Sequence, residues 1–314
     1  MIKRLTYGAI MMCMIWPAAA RAQLSVTSPV SLNINTPTLF QNGTQLAITN
    51  HVVYTTPLLA ALWTLRVRSQ STTLTGPGGA TIPIAQTKVQ VTSLTSNGTP
   101  QSGTYPEITL STADQDLQAS GLNLALVATL RYSIRYTLLG GVDLLKPAGT
   151  YAATLTYTLA NLIGLGTVTN TTSLQVNITN QAAIVVNNPT ATLSFTQASH
   201  YQLGRQLVHT NALQAFSNIP YSISVRAATD LMNGANSIAA GNVQVTPALA
   251  APASGVSVSG VSLSTANQTI ITSTVPTLQQ LFNLTYSTTA GNTAFLNKPA
   301  GAYSTTLTYT ITAP

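Results

Sequence analysis

Charge is scarce in this sequence. Only 5% of its 314 residues are Asp, Glu, Lys or Arg, against roughly 25% in an ordinary soluble domain. Solvent-facing positions must therefore be wetted by other groups, and Thr, Ser, Asn and Gln fill that role, as Thr does on exposed sheet faces. Cysteine is almost missing: its one instance, Cys13, lies in an apolar stretch near the N-terminus. This excludes a disulfide-stapled toxin or growth-factor scaffold and leaves a zinc site few ligands. Long helical periodicity is absent too, apart from short stretches at Pro57 to Leu62 and Thr277 to Phe282 that read as brief helices.

The groups that carry chemistry are equally sparse. Five acids (Glu107, Asp114, Asp116, Asp143, Asp230) and three histidines (His51, His200, His209) are spread without an HxH, HExxH or GxSxG pattern. Asp114 and Asp116 form the one close acidic pair, but Asn267 and Thr269 stand at those places in a second copy described below. Since Asp and Asn can both bond a turn backbone, the pair reads as turn chemistry. A carbohydrate-active enzyme is the remote alternative that these two acids leave. The expectation is a chain without catalytic residues, metal or cofactor.

Residues 1–22 carry Lys3 and Arg4, then an apolar stretch to Ala19, then Ala20-Arg21-Ala22. That order reads as a cleaved signal peptide and predicts a secreted, extracellular or cell-surface protein with no transmembrane segment in the mature chain. What remains holds nine basic and five acidic side chains, a net charge of +4. The basic residues are scattered, with no run or stripe, so nucleic acid is not an expected partner. No LPxTG-like sorting signal or apolar tail closes the sequence, so retention at a surface is expected to come from folded faces.

What is abundant is repetition. KPAGTYAATLTYTL (146–159) returns as KPAGAYSTTLTYTI (298–311), LSTADQ (110–115) as LSTANQ (263–268), IAQTKVQVT (84–92) as IAAGNVQVT (238–246), and WTLRVRS (63–69) more weakly as YSISVRA (221–227). The offsets are 152, 153, 154 and 158 residues. A period of that length suits a whole domain rather than a solenoid unit. The predicted organisation is a first module at 24–178, a linker at 179–188 and a second module at 189–314.

Within each copy the alternation is that of strands. Tyr151, Ala153, Leu155, Tyr157 and Leu159 share one face, with Ala152, Thr154, Thr156 and Thr158 on the other. Tyr303, Thr305, Leu307, Tyr309 and Ile311 repeat the pattern, and the Pro-Ala-Gly before each copy supplies a turn. Val30, Leu32 and Ile34 alternate likewise, as do Val89 and Val91. The fold class is all-β, two tandem β-sandwich modules of immunoglobulin-like or jelly-roll type.

Trp63-Thr-Leu65 and Tyr151-Ala-Ala-Thr-Leu-Thr-Tyr-Thr-Leu159 resemble the paired signatures of the bacterial WxL domain, a proximal W-x-L and a distal Y-x-x-T-L-T-W-T-L. Ile311-Thr-Ala-Pro314 is similar to the ending that follows in that family. Tyr157 and Tyr309 stand where the family has Trp, and Tyr221-Ser-Ile223 replaces W-x-L in the second copy. The resemblance implies non-covalent attachment to peptidoglycan, another envelope polymer or surface proteins. Trp63 is then a candidate polymer contact, although its periodicity with Leu65 and Val67 places it in a core. Arg66, Arg68 and, in the second copy, Arg226 lie on the opposite face, suited to an acidic polymer. The closing strands are also similar to those of fimbrial and spore-coat-U-like subunits, which implies self-assembly by strand addition with Val30, Leu32 and Ile34 as the donor.

Overall fold

A computed structural model describes residues 22–55, 63–118, 129–161 and 167–313. The expected signal peptide, Ala22 apart, and the helix expected at 57–62 lie outside the described residues. The first sandwich comprises strands β1 (Gln23–Val26) and β2 (Val30–Ile34), helix α1 (Pro37–Asn42), and strands β3 (Thr44–Thr55), β4 (Trp63–Ser69), β5 (Thr87–Ser96), β6 (Gln115–Asp116), β7 (Thr129–Leu138), β8 (Gly149–Asn161) and β9 (Thr167–Ile178). One sheet runs β1-β3-β7-β5 with two short strands beyond β5; the other runs β6-β4-β8-β9-β2. Strand β9 lies antiparallel to β8 and parallel to β2.

Period-two alternation turns one row of each strand inward. Tyr151, Leu155 and Tyr157 of β8, Leu174 and Val176 of β9, and Val30 and Ile34 of β2 are all fully buried. Thus Val30, Leu32 and Ile34 are not a free donor strand: they complete their own sandwich beside β9.

The second sandwich comprises β10 (Ala182–Val186), helix α2 (Ala198–Leu203), β11 (Gln206–Ser217), β12 (Tyr221–Ala227), β13 (Val243–Leu249), β14 (Gln268–Ser273), β15 (Thr277–Thr288) and β16 (Leu307–Thr312). Its sheets run β10-β11-β15-β13 and β14-β12-β16, each with one short strand at an outer edge. Two sequence expectations are corrected here. Residues 182–186, expected inside a linker, pair with β11 as the first strand of this sandwich. Thr277 to Phe282, expected as a helix, begin β15, because pairing with β11 and β13 outweighs local preference.

Repeated letters make repeated joints. Gly43 and Gly204 follow the two helices at φ 78° and 75°, and a Cβ there would meet the carbonyl oxygens of Leu138 at 1.9 Å and Thr288 at 2.4 Å. Gly149 and Gly301, at φ 152° and 151°, end the Pro-Ala-Gly turns. Each turn is tied down by the following tyrosine: Tyr151 Oη donates to Pro147 O at 2.9 Å and Tyr303 Oη to Pro299 O at 3.1 Å.

The sandwiches touch. Phe216, at the end of β11, is buried in the first core with its ring 5.2 Å from that of Phe40 on α1. Asn218 Nδ2 donates to Lys146 O at 2.8 Å while its Oδ1 accepts from Gln181 N at 2.7 Å, pinning the three residues between β9 and β10.

Candidate functional site

Strand β4 carries the residues for which sequence reading expected a polymer contact. Trp63 points inward with Leu65 and Val67, is 1% exposed, and lies beside Tyr132. It is therefore a core residue, and the surface role considered for it has no exposed ring to work with. Arg66 and Arg68 do face solvent, but Arg66 Nε is 2.7 Å from Asp116 Oδ1 and Arg68 Nε is 3.5 Å from Asp114 Oδ1. The acidic pair thus answers the arginine pair across β6 and β4. It does not close the turn, where Ser111 Oγ instead accepts from Ala113 N and Ser264 Oγ from Ala266 N. Arg226 is exposed and has no ion pair among the described residues, because Asn267 and Thr269 replace the two acids. No cluster of three His, Cys, Asp or Glu side chains suited to a metal occurs among the described residues.

The family-motif positions all lie on paired strands or their approach: Leu65 on β4, Tyr151, Leu155, Tyr157 and Leu159 on β8, Tyr221 and Ile223 on β12, Leu307, Tyr309 and Ile311 on β16, with Tyr303 preceding β16. Registers match between copies. Leu155 faces Ser69 and Tyr157 faces Val67; correspondingly Leu307 faces Ala227 and Tyr309 faces Val225.

On the other edge the copies part company. Strand β8 is held between β4 and β9, whereas β16 pairs with β12 alone and no described strand covers its outer edge. The inward residues of β8 are fully buried or nearly so, while Tyr303, Leu307, Tyr309 and Ile311 are all partly exposed. The segment before α2 is equally unfinished. Leu193 and Phe195, which precede α2 as Leu32 and Ile34 precede α1, belong to no strand and are only partly buried. No described strand pairs with β16 on the side away from β12, and β10 of the facing sheet lies against it. Val185 and Val186 of β10 are 51% and 40% exposed.

Sequence reading missed the polar groups inside each sandwich. The hydroxyls of Tyr136 and Tyr157 are hydrogen-bonded, and Tyr136 Oη is 2.8 Å from His51 Nε2. Burial lowers the His51 pKa to about 4 and raises both tyrosines. In the second sandwich Tyr286 Oη and Tyr309 Oη are 2.9 Å apart, with His209 edge-on to Tyr286 at 5.6 Å. Burial and the neighbouring Tyr286 push the Tyr309 pKa up. The signal for this pair was the tyrosine at the same place in both closing strands.

No family model and no curated protein matches the chain, so the WxL resemblance finds no support there. Among solved structures the chain is similar to a chaperone–tip adhesion subunit pre-assembly complex of the Csu pili of Acinetobacter baumannii, with 12% identity, TM-score 0.40, and 92% of this chain and 99% of that chain covered. It is also similar to the CupB6 tip adhesin of Pseudomonas aeruginosa, at 9% identity, TM-score 0.36, covering 93% and 94%. The CooA pilin subunit of enterotoxigenic Escherichia coli matches half of the chain, with 19% identity, TM-score 0.27, and 97% of that chain covered. At these identities and TM-scores no activity or partner transfers to this chain.

Proposed function

We propose that this chain is a non-catalytic, exported subunit of a surface assembly, and that its second sandwich takes up an extended strand from another protein. One comparison within the molecule carries the reading. Among the described residues the same closing strand has β9 paired beside it in the first sandwich and an unpaired edge beside a partly exposed apolar row in the second. Unpaired strand edges are templates for another chain, and strand addition joins main-chain hydrogen bonds to pockets for alternate side chains.

From the first sandwich we take the form of the occupant. It runs antiparallel to β16, as β9 runs to β8, and presents apolar residues at every second position, as Leu174, Val176 and Ile178 do. It carries little or no charge, since β9 (TVTNTTSLQVNI) has none. The polymer-contact alternative is weaker because Trp63 is buried and Arg66 and Arg68 are already paired.

The test uses the chain without residues 1–22 and a synthetic peptide of sequence Thr167–Ile178. Binding to the folded form alone stabilises the second sandwich by about 2.7 kcal/mol at a hundredfold excess over Kd. Hydrogen exchange is expected to slow in β16 and at 193–195. A peptide carrying Val176→Asp serves as the control. No protection by the unmodified peptide, or equal protection by the control, overturns the proposal.

A further inference from the structure

The joint between the two sandwiches contains more than a strand. Strand β9 ends at Ile178, and β10 of the next sandwich begins at Ala182 after only three residues. Those residues are clamped by Asn218, and Gln41 Nε2 of α1 reaches Leu278 O at 3.4 Å. The second sandwich thus follows the inserted strand directly and rests Phe216 on Phe40, closing the α1 end of the first core.

At the α2 end of the second sandwich the same places are filled and left uncovered. Tyr201 on α2 stands where Phe40 stands on α1, three residues before Gly204 as Phe40 is before Gly43. Its ring is 5.1 Å from Phe195, which is stacked 4.9 Å from Phe295. All three rings are partly exposed, and beside them in sequence Leu203 is 77% and Leu296 47% exposed. In the first sandwich Ile34, Phe40 and Leu144 hold the matching positions and are fully buried.

Resting on the strand-uptake reading, we infer that the internal joint is the template for the external one. The partner is a β-sandwich protein whose inserted strand leads into its own fold within about three residues, so that an apolar side chain of that fold covers Tyr201, Phe195 and Phe295. The strand supplies the backbone pairing; the attached sandwich supplies the cap. A second copy of this chain lacks the cap residue. Thr55 occupies in β3 the place of Phe216 in β11, each twelve residues after the helix-ending glycine, and both β1 and β2 are seated in their own sandwich. The partner is accordingly a different chain.

Two probes separate strand from cap. One is the free peptide Thr167–Gln181. The other is the chain without residues 1–22 bearing that segment ahead of Gln23 together with Thr55→Phe, which joins strand, short connector and apolar ring as in the internal joint. The grafted chain is expected to form head-to-tail oligomers by sedimentation velocity. Leu203→Asp or Tyr201→Ala in the accepting sandwich is expected to leave the free-peptide affinity within about twofold and to weaken oligomerisation by about tenfold or more. Leu203 is on the surface, so its substitution leaves folding intact even if Tyr201→Ala does not. Equal losses for both probes, or no loss for either, overturn the cap. Failure of the unmodified peptide to bind at all overturns the strand-uptake reading itself and is recognised separately.

Discussion

Leu155 and Leu307 hold the same place in the two closing strands, and truncating each to alanine weighs the difference that one neighbouring strand makes. Leu155 is fully buried, on a strand held between β9 and β4. Its replacement removes the side chain from a filled core and leaves a cavity, a change that costs about 2–5 kcal/mol. Leu307 is partly exposed, so its side chain already meets water when folded. Its truncation forfeits only part of the burial energy, about 1–2 kcal/mol. Adding the Thr167–Ile178 peptide at saturation should raise the Leu307→Ala cost towards that of Leu155→Ala and leave the latter unchanged. Urea unfolding reads both. Trp63 is the one tryptophan outside residues 1–22 and sits in the first core, so its fluorescence follows that sandwich. Hydrogen exchange of β15 follows the second. Equal costs without peptide, or a Leu307→Ala cost that the peptide does not change, would refute the reasoning.

His51 is expected to make the first sandwich acid-sensitive. It is neutral when folded down to a pKa of about 4, against 6.5 unfolded. Stability is therefore complete above pH 6.5 and falls as pH drops between those values, by about 3 kcal/mol in all at about 1.4 kcal/mol per pH unit. Denaturant midpoints followed by Trp63 from pH 7.5 to 4 should decline less in His51→Gln. Phe216→Ala should loosen the two sandwiches without unfolding either, read as faster proteolysis at 179–181 with both cores still protected. Asp116→Asn should cost no more than about 1 kcal/mol, since the Arg66–Asp116 pair is exposed and screened by salt; a larger, salt-independent loss in unfolding experiments would contradict that.

Much of the architecture was legible because alternation is a local property. Residues 30–34, 89–91 and 151–159 announced their strands, and four repeated segments with steady offsets announced two copies of one sandwich. Trp63 was legible as a core residue from its period with Leu65 and Val67, whereas its motif resemblance pointed to a surface. The pairing of Arg66 and Arg68 with Asp116 and Asp114 was hidden, since it joins residues about 50 positions apart across two strands. The strand at 182–186 was hidden for the same reason: its partner β11 lies beyond the helix that follows it.

The fourteen repeated residues divide the two kinds of information. The sequence by itself determined a turn and an alternating strand in both copies, through proline, a glycine at positive φ, and apolar side chains at every second position. Tertiary structure alone decided how much of each becomes strand. Strand β8 runs from Gly149 to Asn161 and pairs with β9 from Gly149 to Ala160, whereas β16 begins only at Leu307, and the preceding Gly301–Thr306 are held to 228–232 by the Ser304–Met232 bridge and Ala228 N donating to Thr306 O at 2.8 Å. A strand is completed by hydrogen bonds to a neighbour, and that neighbour is present for one copy and absent beside the other among the described residues.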